Sequence, residues 1–200
     1  MRKIIASALI SVCATTFAAG AAHASLIVNG GFELPGAAPN ATTPSYLSAN
    51  VEGWTSDTKI EIWANWGVAS YEGNQHVELN AQSDGVPTWS IWQDFDTTAG
   101  DFYTLTFAAA ERKGNPGNQF FNVSAGSLDE DVVLTTTAWT IYSFVFQAID
   151  ETTRLAFETI SPEGTAGNFI DDVRVVPEPS SLALMGLGLL GLAGARRFKK

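Results

Sequence analysis

The feature that most constrains this chain is a series of short runs rich in β-branched and aromatic residues, which recur about every ten residues. Gly, Asn, Asp and Pro separate the runs, as is typical of turns between antiparallel strands. Apolar and polar residues alternate within several of them, for example from Tyr103 to Phe107, so one face of the strand is buried and the other is wet. Between the two chain ends no stretch sustains a 3.6-residue period. The pattern predicts an all-β domain.

Ten strands are predicted, and this number in one domain favours an antiparallel two-sheet sandwich, above all a jelly roll. They are Leu26–Asn29, Lys59–Ala64, His76–Asn80, Ser90–Phe95, Phe102–Ala109, Gln119–Ser124, Val132–Thr135, Thr140–Gln147, Arg154–Thr159 and Phe169–Val175. Residues 35–44 are predicted to form a loop, and residues 115–117 and 161–164 to form turns.

Three different segments follow one another at the C-terminus. Pro177-Glu178-Pro179 cannot continue a strand through backbone N–H donors, so we expect an exposed hinge there. The run from Ser181 to Ala195 carries no charge, but it is shorter than the roughly 20 residues that usually span a membrane. Basic side chains after such a run snorkel to lipid headgroups and favour the cytoplasmic side; here they are Arg196, Arg197, Lys199 and Lys200.

This order of segments resembles the PEP-CTERM sorting signal of Gram-negative bacteria that make exopolysaccharide. The resemblance implies transient anchoring in the inner membrane and cleavage near Pro177-Glu178-Pro179 by an exosortase, which is a membrane-embedded processing enzyme. The domain would then reach the cell envelope or the outside. The alternative is a plain membrane anchor that stays uncut.

The N-terminus has the three regions of a secretory signal peptide. Arg2 and Lys3 precede an apolar stretch from Ile4 to Ala19, and Ala22-His23-Ala24 predicts cleavage before Ser25. The chain therefore divides into a signal peptide (1–24), a β-sandwich domain (25–176) and a sorting signal (177–200). We expect a helix in each of the two flanking segments.

Charge restricts the partners of the domain. Five basic residues stand against 20 of the chain's 21 acidic residues, so nucleic acid and anionic lipid are poor partners. Neutral glycans and divalent cations suit such a surface better.

The residues available for catalysis are few. Cys13, the single cysteine, lies in the signal peptide, and His76 is the only histidine of the domain. A Cys–His nucleophile is thereby excluded, and no serine stands in a Gly-x-Ser-x-Gly elbow. A carboxylate pair for glycoside hydrolysis stays open. We expect a protein that is not an enzyme.

A second resemblance covers most of the domain. Its motifs look like landmarks of galactose-binding-like jelly rolls, a group that includes carbohydrate-binding modules and an uncharacterised family of wall-associated domains of plants and bacteria. They are Asn29–Glu33, Gly53-Trp54, Ile60–Trp63, Gly73–Asn80, Trp92–Phe95 and Phe169–Val173.

This resemblance implies a structural calcium site formed by Glu33 with Asp171 or Asp172. The first and last strands of such folds run close together, and carboxylates with backbone carbonyls form the oxygen shell that calcium prefers. Strand alternation would send the two aspartates to opposite faces, so we prefer Asp172 as the ligand. The alternative is that these carboxylates bind no metal and are only solvent-exposed side chains at an edge of the sandwich.

Aromatic residues are the candidates for carbohydrate binding, because indole and phenol rings stack on sugar rings. Three of them stand in surroundings typical of loops and are the predicted platform: Trp66, Tyr71 and Trp89. Four others lie in or beside strands and are predicted to be core: Trp54, Trp63, Trp92 and Trp139. His76 is expected to be a rim or buried structural residue.

These observations predict an exported, non-enzymatic module that binds carbohydrate or exopolysaccharide at the cell surface, on a scaffold that calcium rigidifies. Two alternatives stay open. One is a structural surface or biofilm-matrix protein without a glycan site, and the other is a weak glycoside hydrolase or lyase.

Overall fold

The computed structural model describes residues 24–36, 45–48, 51–57, 59–64, 68–80, 89–114, 119–161 and 167–179. Within these ranges, no helix is long and apolar enough to cross a membrane. The predicted signal helix and membrane helix lie outside the described residues, as do the basic tail and most of the predicted turn residues.

Eleven strands form two antiparallel sheets, which confirms the predicted all-β jelly-roll class. In chain order they are β1 (Ser45–Ser48), β2 (Thr55–Ser56), β3 (Ile60–Ala64), β4 (Gln75–Glu78), β5 (Ser90–Asp96), β6 (Phe102–Ala110), β7 (Gln119–Ala125), β8 (Leu128–Leu134), β9 (Thr140–Gln147), β10 (Thr152–Ser161) and β11 (Phe169–Pro177). One sheet has the order β1-β3-β4-β11-β6-β9, and the other has the order β2-β5-β10-β7-β8.

Alternating apolar residues of both sheets form the main core. The Phe107 ring of β6 contacts the rings of Phe157 and Phe121 in the other sheet, with centroids 5.2 and 6.0 Å apart. All three side chains are fully buried. Burying a side chain of this kind stabilises a fold by about 1.5–3 kcal/mol, so these rings join the two sheets.

The predicted strand at Leu26–Asn29 is wrong, because this segment forms a turn. Asn29 has a φ of 53°, a left-handed conformation that asparagine tolerates. Val28 finds its partner in a side chain: its N–H donates to Gln93 Oε1 and its carbonyl accepts from Gln93 Nε2. β1 and the two-residue β2 were not predicted, and β8 begins four residues before the predicted start.

The expected end of the last strand also needs correction, because β11 continues through Pro177 and the Glu178 N–H donates to the carbonyl of Phe102 at 2.8 Å. Both backbone groups of Val175 face residues 25 and 26 rather than β6. Pro177 lies two residues further on, so its missing N–H also falls on the side away from β6 and removes no bond to that strand. Residues 177–179 are half-buried and not a freely exposed hinge.

Candidate functional site

A second set of apolar side chains lies on the six-stranded sheet, separate from the main core. The His76 ring is its centre, with ring centroids 4.8 Å from Phe169 and 5.3 Å from Trp139. We call this set the outer cluster, and it consists of Trp63, His76, Trp139, Phe169 and the Tyr71 ring at its edge.

A buried carboxylate, Glu78, fixes one side of the outer cluster. Its Oε2 accepts from the Trp63 indole N–H at 2.6 Å, and its Oε1 accepts from Arg112 at 2.7 Å and from the Gly167 N–H at 2.6 Å. The Arg112 guanidinium also lies over the Trp63 ring, 5.0 Å from its centroid. Burial raises the pKa of Glu78 to about 7, although its donors favour the charged form.

His76 is a rigid, neutral part of the outer cluster. Its side chain has no solvent exposure, its Nδ1 lies 3.0 Å from the Ser70 hydroxyl, and burial lowers its pKa to about 4. The Nε2 atom is buried, and none of the described residues forms a hydrogen bond with it. His76 is therefore a buried structural residue.

Tyr71 is the exposed edge of the outer cluster. It is 46% exposed, and its ring stands edge-on to Trp139 at 6.4 Å. The Trp139 indole N–H donates to the Ala69 carbonyl at 2.8 Å, which ties residues 69–71 to the start of β9. Trp139 is only half-buried, so its prediction as a core residue is corrected.

The structure gives the exposure of two further tryptophans, and both differ from their predictions. Trp89 is 2% exposed, so its expected exposure on a loop is wrong; it directly precedes β5, and its carbonyl accepts from the Thr159 N–H of β10. Trp92, predicted as core, is half-buried, and Arg154 covers its ring at 5.2 Å. Trp66 lies outside the described residues.

The two predicted metal-binding ends of the chain hold one and the same segment. Glu33 Oε1 accepts from the N–H groups of Asn74 and Gln75, both at 2.7 Å. Asp171 Oδ2 accepts from the N–H groups of Tyr71 and Glu72 at 2.8 and 2.9 Å. A carboxylate from each chain end thus fixes residues 71–75, which carry Tyr71 and lead into β4. We call this region the chain-end seam.

The two aspartates of the seam do not point to opposite faces, because β11 has a bulge there. Asp171 pairs with Ala108 but Arg174 with Thr106, and the extra residue Asp172 has a φ of 49°. Both aspartates meet Glu72: Asp171 binds its N–H, and Asp172 hydrogen-bonds its carboxyl group, which raises the pKa of Glu72.

Arg174 is the cation of the chain-end seam. Its guanidinium binds Asp172 at 2.6 Å and Glu72 at 3.4 Å. Burial raises the pKa of Asp171 to about 7. Gly31 lies beside the same carboxyl groups: a methyl group on its Cα would stand 3.5 Å from an oxygen of Glu72 and 3.9 Å from an oxygen of Asp171. The seam borders a surface cavity of about 330 Å³.

The carboxylates of the seam offer oxygen ligands and surplus negative charge, as a calcium site requires. Among the described residues, however, no group of three or more acidic or histidine side chains is arranged to hold a metal ion. Backbone carbonyls would have to complete the shell, and calcium at Glu33, Asp171 and Asp172 stays a prediction.

Two antiparallel sheets around one core, closed where the chain ends meet, define a jelly-roll domain. The chain belongs to the family described as "Protein of unknown function (DUF642)", which it matches over residues 25–176. Residues 175–197 match the PEP-CTERM protein-sorting motif. This confirms the predicted sorting signal and indicates export directed to an exosortase.

Several solved structures of low identity are similar to this chain. The carbohydrate-binding module TmCBM61, solved with β-1,4-galactotriose, is 21% identical, with 78% of this chain and 100% of that chain covered at a TM-score of 0.47. A family 16 carbohydrate-binding module is 17% identical, with 76% and 99% covered and a TM-score of 0.49.

Enzymes are also among the similar structures. The arabinose-bound arabinofuranosidase MgGH51 is 11% identical, with 77% of this chain and 26% of that chain covered at a TM-score of 0.50. No curated protein matches the chain.

Proposed function

We propose that this protein is a non-catalytic carbohydrate-binding module that exosortase-dependent sorting delivers to the cell envelope or the extracellular matrix. The observation that carries the proposal is the exposed Tyr71 ring, which stands against Trp139 on a rigid outer cluster. The predicted platform residue Trp66 is only five residues away in the sequence.

The position of Tyr71 suits stacking on a sugar ring. Its backbone N–H is bound by Asp171, and the Trp139 indole holds the neighbouring carbonyl of Ala69. A ring on a fixed backbone loses little conformational freedom when a ligand binds, so more of the stacking energy appears as affinity. The acidic surface favours a neutral polysaccharide over an anionic one.

The absence of catalysis is part of the proposal, and the two carboxyl groups with pKa values near 7 support it. Such groups are the usual candidates for an acid or base. Glu78 and Asp171 are at most 1% exposed, and backbone or arginine donors bind both. Neither is accessible to a substrate.

Affinity electrophoresis in gels with neutral polysaccharides tests the proposal. We expect the wild-type protein to be retarded and Tyr71→Ala to lose most of this retardation. Phe102→Ala is the matched control, because Phe102 is an aromatic residue of similar exposure, 51%, on β6. Both variants should melt close to the wild-type temperature, since neither ring is in the main core.

The outcomes separate the alternatives. A wild-type protein that no polysaccharide retards would favour the structural matrix protein. Release of reducing ends from a polysaccharide would favour the glycoside hydrolase. Retardation that survives Tyr71→Ala would keep carbohydrate binding but move the site elsewhere, with Trp66→Ala as the next variant.

Calcium at the chain-end seam is the second part of the proposal. The described part of the seam holds four carboxyl groups, those of Glu33, Glu72, Asp171 and Asp172. Arg174 binds two of them, Glu72 and Asp172, and a divalent cation would offset the remaining negative charge. Because the seam holds residues 71–75, calcium would stabilise the backbone that carries Tyr71.

A further inference from the structure

We propose that folding of the domain makes the backbone of Pro177 and Glu178 inaccessible to the processing enzyme, so that the cleaved bond lies C-terminal to Glu178. The mature protein would then keep Pro177 as the end of β11 and Glu178 directly after it. The basis is the overlap between β11 and the sorting motif, which matches from residue 175 onward.

The backbone of these residues belongs to the six-stranded sheet. Pro177 is in register with Tyr103 of β6, and the Glu178 N–H donates to the Phe102 carbonyl at 2.8 Å. Cleavage of the bond before or after Pro177 would require an extended, accessible backbone, and this backbone is already paired with β6.

The side chain of Glu178 is engaged as well. Its carboxylate accepts a hydrogen bond from the Thr104 hydroxyl of β6. An enzyme that reads the acidic residue of the motif must therefore first displace Thr104. Thr106, two residues further along the same strand, is similarly half-buried and is in register with Ser143 and Arg174.

The other edge of β11 is held at Val175, two residues before Pro177. The Leu26 N–H donates to the Val175 carbonyl at 2.8 Å, and the Val175 N–H donates to the Ser25 hydroxyl at 3.3 Å. Ser25 is the first residue after the predicted signal cleavage site, so the new N-terminus and the last strand support each other. Peeling β11 back as far as Val175 would break bonds on both edges.

The site of the covalent step follows from this protection. A peptide bond C-terminal to Glu178 breaks, and its carbonyl carbon forms a new bond to water or another nucleophile. The nitrogen takes up the proton that the nucleophile gives up and leaves as the amino terminus of the tail. The hydrogen bonds of the Val175 and Glu178 backbone stay intact throughout, and only the contact between the Glu178 side chain and Thr104 has to open.

Mass spectrometry of the protein released by a host with its exosortase tests the position of the cut. We expect the C-terminal residue to be Glu178 or a later residue. A mature protein that ends at Val176 or Pro177 would overturn the proposal, and so would a protein that keeps Lys200.

A second experiment tests the protection itself. In full-length protein from a host without exosortase, the Glu178 amide should be protected from hydrogen exchange. Thr104→Val should speed this exchange about fivefold, which corresponds to one hydrogen bond of about 1 kcal/mol, whereas Thr106→Val should leave it unchanged. An unprotected Glu178 amide in the wild-type protein would contradict the proposal.

A linker variant connects the protection to processing. Gly-Ser-Gly-Ser inserted between Val176 and Pro177 moves the motif out of the sheet but leaves its sequence intact. In a pulse–chase experiment with the exosortase present, we expect the variant to be processed several-fold faster than the wild type. Equal rates in the two proteins would show that the sheet does not control the cut.

Discussion

Single residues show where local sequence was a poor guide to environment. Glu78 alternates with Val77 in β4, a pattern that suggests a solvated carboxylate, yet the outer cluster buries it beside Trp63. Trp89 follows a Gly- and Pro-containing stretch that is typical of an exposed loop, and the structure buries its ring. In both cases the contacts shown come from residues distant in sequence: Trp63 and Arg112 bind the Glu78 carboxylate, and the Trp89 carbonyl accepts from the Thr159 N–H of β10.

Stability should fall as the pH rises from about 4 to about 7, and Glu78 should contribute to this fall. Its pKa is raised from 4.5 to about 7, so the folded state binds the proton more tightly than the unfolded state does. The resulting stabilisation is complete below pH 4.5 and is lost as the pH passes 7. Asp171 acts in the same direction, from 3.8 to about 7.

His76 opposes this trend, because its pKa is lowered from 6.5 to about 4. Its contribution is present above pH 6.5 and is lost as the pH falls through 4. With two carboxyl groups against one imidazole, we expect the domain to be more stable at pH 5 than at pH 8.

Denaturant unfolding of Glu78→Gln at these two pH values isolates the carboxyl group. The difference between pH 5 and pH 8 should shrink by about 1–3 kcal/mol relative to the wild type. Glu158→Gln, a change at an exposed residue of β10, should leave the difference unaltered. An equal pH dependence in all three proteins would show that Glu78 does not titrate in this range.

At the scale of elements, the first segment and the last strand depend on each other. The Gly30 carbonyl accepts from the Val173 N–H at 3.0 Å, and a side chain on Gly30 would overlap the Val173 carbonyl oxygen. The motifs of both segments were recognised in the sequence, but the prediction that the first segment is a strand was wrong. The backbone of this first segment bonds to the Gln93 side chain and to β11, which has a bulge. Neither kind of pairing produces a periodic pattern in the sequence.

Gly30→Ala should therefore loosen the chain-end seam. We expect a loss of about 1–3 kcal/mol of stability, as for other overpacked sites, and a weaker grip on residues 71–75. Gly36→Ala is the matched control on the same segment, because a methyl group there meets the Glu33 carbonyl at an ordinary 3.7 Å. Thermal melting of the two variants checks this; equal melting temperatures would show that the backbone adjusts at no cost.

At the scale of the whole molecule, the chain-end seam closes the sandwich by linking the N-terminal segment, the 71–75 segment and β11. Calcium at this point should raise the free energy of unfolding by about 2.7 kcal/mol at a hundredfold excess over its dissociation constant. Glu33→Gln is the most selective variant, because its amide oxygen can still accept from Asn74 and Gln75 while the charge is lost.

Melting curves in calcium and in chelator measure this effect. Glu33→Gln and Asp172→Asn should remove the calcium shift, while Asp94→Asn on the other sheet, whose partner is Arg154, should keep it. A wild-type melting temperature that is the same in both conditions would eliminate the site and leave Arg174 as the counter-charge that the described residues supply.

The sequence by itself determined the class of fold, nine of the strands, the C-terminal sorting signal and the two motifs at the ends of the domain. Those features arise from local causes: period-two alternation, turn residues, and apolar runs flanked by charge. Only the tertiary structure decided that Glu33 and Asp171 hold one loop, that Tyr71 stands against Trp139, and that the sheet takes in Pro177 and Glu178. Each of these depends on contacts between residues far apart in the chain, and the bulge at Asp172 shifts the alternation on which a local prediction relies.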